Sequence, residues 1–89
     1  MKNEFVNAQE MQNRYPGMFK APSAAELAAI KQGDFIKVCR NDERFWIRVI
    51  GADRKTVTGT IDNHLDRNPD LLLGLIVTVD KDRVYTILK

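Results

Sequence analysis

The spacing of apolar residues changes at Gly33, and this change constrains the fold more than any other feature of the sequence. Before Gly33 the spacing suits short helices, whereas after it apolar and polar residues alternate. The stretch DFIKVCRNDERFWIRV, residues 34–49, holds two alternating runs around a polar break. Because alternation with a period of two is typical of strands with one buried face, we expect a β domain over residues 33–89 behind a helical segment over residues 1–32.

Two short helices are predicted in the N-terminal segment, at residues 7–15 and 23–31. The second has the clearer signals, since Ser23 is a good N-cap and Glu26, three residues later, completes a capping box. We expect Gly33 to lie just past its C-terminus. Helices of this length are marginal in water, so we expect this one to dock on the sheet.

The rest of the chain reads as strands separated by polar turns about every 8–12 residues, a spacing typical of small antiparallel barrels. The fold class is predicted to be α+β, with short N-terminal helices packed on a five-stranded antiparallel SH3-like barrel or strongly bent sheet. The last two strands are expected to pair with each other, and residues 62–74 form the one long loop. The predicted strands are residues 35–40, 45–51, 56–61, 75–79 and 84–88.

Strand alternation places Trp46 on the face opposite the core. Two outcomes remain open for it. The favoured one is that the N-terminal helices cover this face, with Trp46, Leu27 and Ile30 forming a second small core. The other is that Trp46 is a partly exposed recognition residue beside Arg48. The side chains predicted to form the main core are Phe45, Ile47, Val49, Val57 and Ile61.

Size, charge and cysteine content limit the class of protein. With 89 residues the chain is predicted to be one domain, residues 1–89, with one modest core. The net charge of +2 gives no basic stripe of the kind expected for nucleic-acid binding. No apolar run is long enough for a signal peptide or a membrane span. Cys39 is the only cysteine, so no internal disulfide is expected, and the chain is predicted to be soluble and cytoplasmic.

Three segments, GDFIKVCRNDERFWIRV, TGTIDN and DRVYTIL, resemble the DUF2314-type family of small uncharacterised bacterial proteins. The resemblance covers residues 22–88. In one place the sequence differs, because Leu75 follows Gly74 where the family usually has a Gly-Asp step. The resemblance supports the domain boundaries and the fold class, and it implies no activity, cofactor or catalytic residue.

Several chemistries are not supported by the sequence. The long loop at residues 62–74 has alternating side chains with oxygen atoms, as a calcium-binding loop does. It lacks the glycine at position 6 and the glutamate at position 12 that an EF-hand requires, since Arg67 and Leu73 occupy those positions. One histidine and one cysteine cannot complete a zinc site without carboxylates, and no neighbouring base activates Cys39. We therefore expect no metal and no cofactor. The alternating loop residues are Asp62, His64, Asp66, Asn68 and Asp70.

The leading hypothesis is a small non-enzymatic binding or interaction module for a protein partner. Its candidate site, at one end of the barrel, consists of Trp46, Arg48, Thr58, Asp62 and Asn63. Alternatively, Asp62 and Asn63 only bond backbone amides and fix the long loop. A second hypothesis is a nucleic-acid-binding small barrel, and an enzyme is least favoured because no acid–base or nucleophile pair is evident. For nucleic acid, a cluster in space would be needed among Lys37, Arg40, Arg44, Arg48 and Arg54.

Overall fold

A five-stranded antiparallel sheet forms the body of the computed structural model, which describes residues 5–89. The first four residues of the predicted domain lie outside the described part. The strands are hydrogen-bonded in the order β4-β3-β2-β1-β5. The elements are α1 (Ala8–Arg14), α2 (Ala24–Ala28), β1 (Phe35–Arg40), β2 (Glu43–Ala52), β3 (Thr56–Ile61), β4 (Ile76–Asp80), a 3-10 turn (Lys81–Arg83) and β5 (Thr86–Leu88).

The start of α2 is confirmed and its end is not. The Ser23 hydroxyl accepts a hydrogen bond from the Glu26 N–H at 3.1 Å, and the Glu26 carboxylate accepts one from the Ser23 N–H at 2.9 Å. The helix ends at Ala28, three residues before the predicted end at Lys31. Gly33 has a φ of +95°, and its N–H donates to the Val49 carbonyl at 3.0 Å. It therefore directs the chain into β1 rather than ending the helix.

The first three strands form a meander with short connections. β1 and β2 are joined by Asn41 and Asp42, which both have positive φ, 53° and 63°. Two such residues are what a tight type I′ hairpin needs, and asparagine and aspartate tolerate this conformation best after glycine. The β2–β3 register shifts by one residue between Val49 and Gly51. This bulge bends the long strand β2.

The last two strands do not pair with each other, so that prediction is wrong. β4 pairs with β3, while β5 pairs with β1 at the opposite edge of the sheet. Residues 81–83 form a 3-10 turn instead of a tight hairpin, with the Lys81 N–H on the Lys55 carbonyl and the Val84 N–H on the Lys81 carbonyl. This turn carries the chain from one edge to the other. The sheet is not closed, and a barrel is not confirmed.

The main core lies on one face of the sheet, called the inner face below. All five predicted core side chains are buried there, each exposed by no more than 2%. Phe5 completes this core from the N-terminal side, with its ring centroid 6.2 Å from that of Phe45. Ile30 belongs to the same core, and Leu27 packs against it. The expected docking of α2 is confirmed, but on the inner face.

Helix α1 lies elsewhere, beside the 3-10 turn. Ala8 forms a second, smaller apolar cluster with Cys39 and Tyr85. Val6 and Phe19 pack against this cluster. Within residues 5–89, no helix combines the length and apolar character needed to cross a bilayer.

Candidate functional site

The side chains on the opposite side of the sheet from the core form what we call the outer face. Its register follows from the strand pairings, with Phe35 opposite Arg48 and Lys37 opposite Trp46. Thr60 is the next neighbour of Arg48, on β3, and Ile76 follows on β4. The outer face is defined here by Phe35, Lys37, Arg44, Trp46, Arg48, Ile50, Thr58, Thr60 and Ile76.

Trp46 is partly buried and has a cation above its ring. The Lys37 Nζ lies 4.8 Å from the ring centroid, a cation–π contact across the β1–β2 ladder. The predicted second core of Trp46, Leu27 and Ile30 is wrong, because the two helical residues pack into the inner-face core. Trp46 shares its face with cations rather than with α2.

The backbone of Trp46 is tied to the start of the long loop. Its N–H donates to the Asn63 Oδ1 at 2.6 Å, and its carbonyl accepts from the Asp62 N–H at 3.0 Å. Asn63 therefore fixes the loop through a backbone amide, which is the alternative considered for it. Asp62 leaves its own carboxylate exposed at the end of β3.

The five predicted site residues lie in three places, namely the outer face of β2, strand β3 and the start of the long loop. Trp46 and Arg48 stand two residues apart on the outer face of β2. The bulge places Thr58 opposite Gly51, and its Oγ1 lies 3.2 Å from the Thr78 Oγ1. Thr60, rather than Thr58, is therefore the β3 neighbour of Arg48.

Three basic side chains collect on the outer face. Within residues 5–89, none of Lys37, Arg44 and Arg48 has a carboxylate at ion-pair distance. The Arg44 guanidinium lies 5.2 Å from the Tyr85 ring centroid. Of the five basic residues considered for nucleic acid, Arg40 instead pairs with Asp70 at 3.0 Å, and Arg54 lies in the β2–β3 turn. The outer face therefore carries positive charge that no carboxylate of residues 5–89 pairs with.

Lys37 was considered only as a possible nucleic-acid contact and was not one of the five candidate site residues, although the sequence contains the signal for its pairing with Trp46. A two-residue turn at Asn41 and Asp42 fixes the hairpin register, and that register sets Lys37 opposite Trp46. Placing the turn correctly would have been enough to find the pair.

The carboxylate of Glu43 holds part of the long loop after β3. The Glu43 carboxylate accepts the backbone N–H groups of Asp66 and Arg67, both at 2.8 Å. The hydrogen bond from the Asp66 N–H is the main reason that the pKa of Glu43 lies below its usual value. Among residues 5–89 there is no group of three or more His, Cys, Asp or Glu side chains placed to hold a metal ion.

Asn68, inside the same loop, is fully buried. Its amide donates to the Arg40 carbonyl and to Glu43, both at 3.0 Å. Its Oδ1 accepts from the Asn41 amide at 3.0 Å. The loop residues that alternate in the sequence therefore include a structural anchor that joins the loop to the β1–β2 hairpin.

A small groove of about 210 Å³ lies beside α1 and is lined in part by Cys39, Arg44 and Tyr85. Burial raises the pKa of the Cys39 thiol and that of the Tyr85 hydroxyl. Both groups therefore stay protonated at neutral pH. A nucleophilic cysteine needs the opposite shift, toward the thiolate.

Comparison with protein-family models gives no match, and neither the curated proteins nor the solved structures contain a match to this chain. The resemblance to the DUF2314-type family therefore stays a prediction from the quoted segments.

Proposed function

We propose that this chain is a small non-enzymatic binding module that takes a protein partner on its outer face, at Trp46 and Arg48. The observation that supports this most is the pairing of a partly exposed tryptophan with cations that lack carboxylate partners within residues 5–89. Tryptophan and arginine are the residue types most enriched among side chains that dominate binding energy.

The apolar surroundings of the site favour a protein partner. Ile50 is 45% exposed and Ile76 is 63% exposed, and both belong to the outer face together with the partly buried Phe35. Aliphatic side chains beside an aromatic anchor match apolar side chains of a partner. Cations without carboxylates favour a partner segment that also carries acidic residues, because opposite charges steer association and fix register.

Nucleic acid is the second candidate, supported by the grouping of Lys37, Arg44 and Arg48 on one face. Single-stranded nucleic acid binds to basic surfaces with exposed aromatic rings on which bases stack. Here Lys37 already covers one face of the Trp46 ring, which leaves less of that ring for stacking. We therefore place the protein partner first.

The proposal extends to fold family and location. An SH3-like, strongly bent sheet is supported by the 3-10 turn that carries the chain from the β4 edge to the β5 edge. A cytoplasmic site of action is supported by the single cysteine, Cys39, which is unpaired and buried. A non-catalytic role is supported by the raised pKa values of Cys39 and Tyr85 in the small groove.

Affinity capture from a native lysate tests the proposal, using the wild-type chain and the variants Trp46→Ala and Arg48→Gln. Arg54→Gln is the matched control, since it removes the same charge from the β2–β3 turn. We expect a protein that is retained by the wild type and by Arg54→Gln and is lost by the two outer-face variants. Capture that nuclease treatment abolishes would favour the nucleic-acid candidate instead. Equal capture by all four chains would rule out this face.

A further inference from the structure

The β4 edge of the sheet exposes an unusual amount of apolar surface. Leu72 is 67% exposed, Leu73 52%, Leu75 41% and Ile76 63%. These four residues are close in sequence, next to or within the start of β4. Together they leave about as much surface in water as two fully exposed leucine residues would, and contiguous patches of this kind commonly mark interaction sites.

The backbone of β4 is also available for pairing. β4 is the outermost strand next to β3, and the Ile61 N–H donates to the Leu75 carbonyl at 2.9 Å. Alternation along an antiparallel ladder then turns the backbone groups of Val77 and Val79 toward β3. The backbone N–H and C=O groups of Ile76 and Thr78 point outward from the edge, in the plane of the sheet, where no strand within residues 5–89 pairs with them.

Natural edge strands usually carry a device that prevents pairing, such as a lysine, a proline or a bulge. Residues 76–79 include no lysine or proline, and their pairing with β3 runs without a shift. The irregular pairing lies just before the strand, where Gly74 has a φ of +86° and its N–H donates to the Ile61 carbonyl at 2.8 Å, and the charged residues Asp80 and Lys81 come at its end. The opposite edge strand, β5, has only three residues, and shortness is itself a protection. The two edges of the sheet therefore differ in their capacity to add a strand.

We propose that β4 pairs with β4 of a second copy of this chain, antiparallel and centred on Val77. In this register Ile76 faces Thr78 of the second copy, and Leu75 faces Val79. Asp80 faces Gly74, so the two Asp80 carboxylates stay apart. The pairing satisfies the outward backbone groups and covers Val77, which is only partly buried in one chain.

The available area fits a dimer of modest stability. In this register residues 75–79 of the two copies meet, whereas Leu72 and Leu73 lie beyond them and face Asp82 and Lys81 of the second copy, so the buried area lies at the low end of the interface range, under about 1,200 Å² in total. The interface is isologous, since the same edge serves in both copies. A two-fold axis perpendicular to the sheet leaves the outer faces of the two copies on the same side.

Sedimentation velocity over a concentration series tests the pairing with the full chain. We expect the wild type to shift from monomer to dimer as its concentration rises. Ile76→Lys adds an edge lysine at an exposed position and is expected to remain monomeric with an unchanged circular dichroism spectrum. Ile50→Lys makes the same change at an exposed position on β2 and is expected to dimerise like the wild type.

A wild type that stays monomeric throughout would overturn the proposal, as would a dimer that survives Ile76→Lys or is lost equally in Ile50→Lys. Oxidative cross-linking tests the register separately. Val77→Cys places two thiols opposite each other at a non-hydrogen-bonded pair, where the strands approach most closely. We expect this variant to form a disulfide-linked dimer and Asp80→Cys to form none, whereas the reverse result would refute pairing centred on Val77.

Discussion

The two faces of β2 show how one strand serves two purposes. On the inner face Phe45, Ile47 and Val49 are exposed by 2%, 0% and 1%. On the outer face Trp46 is partly buried beneath Lys37, and Arg48 is exposed. Because adjacent residues of a strand point to opposite faces, stability and recognition are encoded in alternate positions. Substitutions on the outer face are therefore expected to leave the stability of the domain intact.

The sharpest test of this contrast is the pair Ile47→Asp and Arg48→Asp. We expect Ile47→Asp to abolish cooperative unfolding, because it buries a carboxylate with no partner. Arg48→Asp places the same side chain in water and is expected to change the free energy of unfolding by less than about 0.5 kcal/mol. Urea denaturation measures both, and a well-dispersed NMR spectrum for Ile47→Asp would contradict the assignment of faces.

Gly59 gives the next largest effect, on the inner face of β3 opposite Val49. A Cβ atom there would overlap the Arg48 carbonyl oxygen and lie 2.6 Å from the Ile47 Cγ2. We expect Gly59→Ala to lower the free energy of unfolding by about 1–3 kcal/mol, since backbone must shift to make room. Gly51→Ala is the control, because a Cβ at Gly51 meets nothing within 4 Å. Equal urea unfolding midpoints for the two variants would show that β2 and β3 can shift to accept the added methyl group at little cost in free energy.

Asn68→Ala tests whether the loop anchor supports the hairpin that carries both faces. The substitution leaves the buried Arg40 carbonyl without its amide donor and removes the acceptor of the Asn41 side chain. We expect a loss of about 1–3 kcal/mol in the free energy of unfolding. His64→Ala, at an exposed position of the same loop, is expected to behave like the wild type in thermal melts. Similar melting temperatures for both variants would mean that the loop contributes little.

The smallest effect concerns the acid dependence of stability. Hydrogen bonds from the Asp66 N–H, the Arg67 N–H and the Asn68 amide lower the pKa of Glu43 in the folded chain below 4.5, the ordinary value for a glutamate in water. As the pH falls, Glu43 is therefore protonated in the unfolded chain before it is protonated in the folded chain. The stabilisation that Glu43 contributes is fully present above about pH 4.5 and is lost as the pH falls from there through the lower pKa of the folded chain. Melting temperatures of Glu43→Gln should fall less steeply over this acid range than those of the wild type, and parallel curves would contradict this role for Glu43.

Local patterns in the sequence predicted the inner face and several boundaries. Alternation identified the five core side chains, and the bounds of β1 and β3 agree with those in the structure. The capping box at Ser23 was also found, because it depends on residues only three positions apart. Each of these features is decided by neighbours in the chain.

Features that depend on distant residues were not predicted. No short-range signal shows that β5 pairs with β1 instead of β4, or that Leu27 and Ile30 join the inner core. In the sequence, Asn68 is one of the alternating loop residues whose spacing suggested a metal-binding loop. In the structure its partners are Arg40 and Asn41, which lie more than 25 residues earlier in the chain. Lys37 differs from these, since correct placement of the hairpin turn alone sets it opposite Trp46.

The 3-10 turn at residues 81–83 has a consequence for the order of folding. Its Asp82 carboxylate accepts the Asn7 amide at 3.0 Å, and the Arg83 guanidinium donates to the Phe5 carbonyl at 3.1 Å. These contacts join residues 75 and 78 positions apart, whereas the β1–β2 hairpin closes over a two-residue turn. Because chain closure over long separations costs more entropy, the hairpins are expected to form early and the contacts between the two ends late. Refolding rates should therefore respond to changes in the Asn41–Asp42 turn, while changes at Asn7 or Asp82 should act on the rate of unfolding.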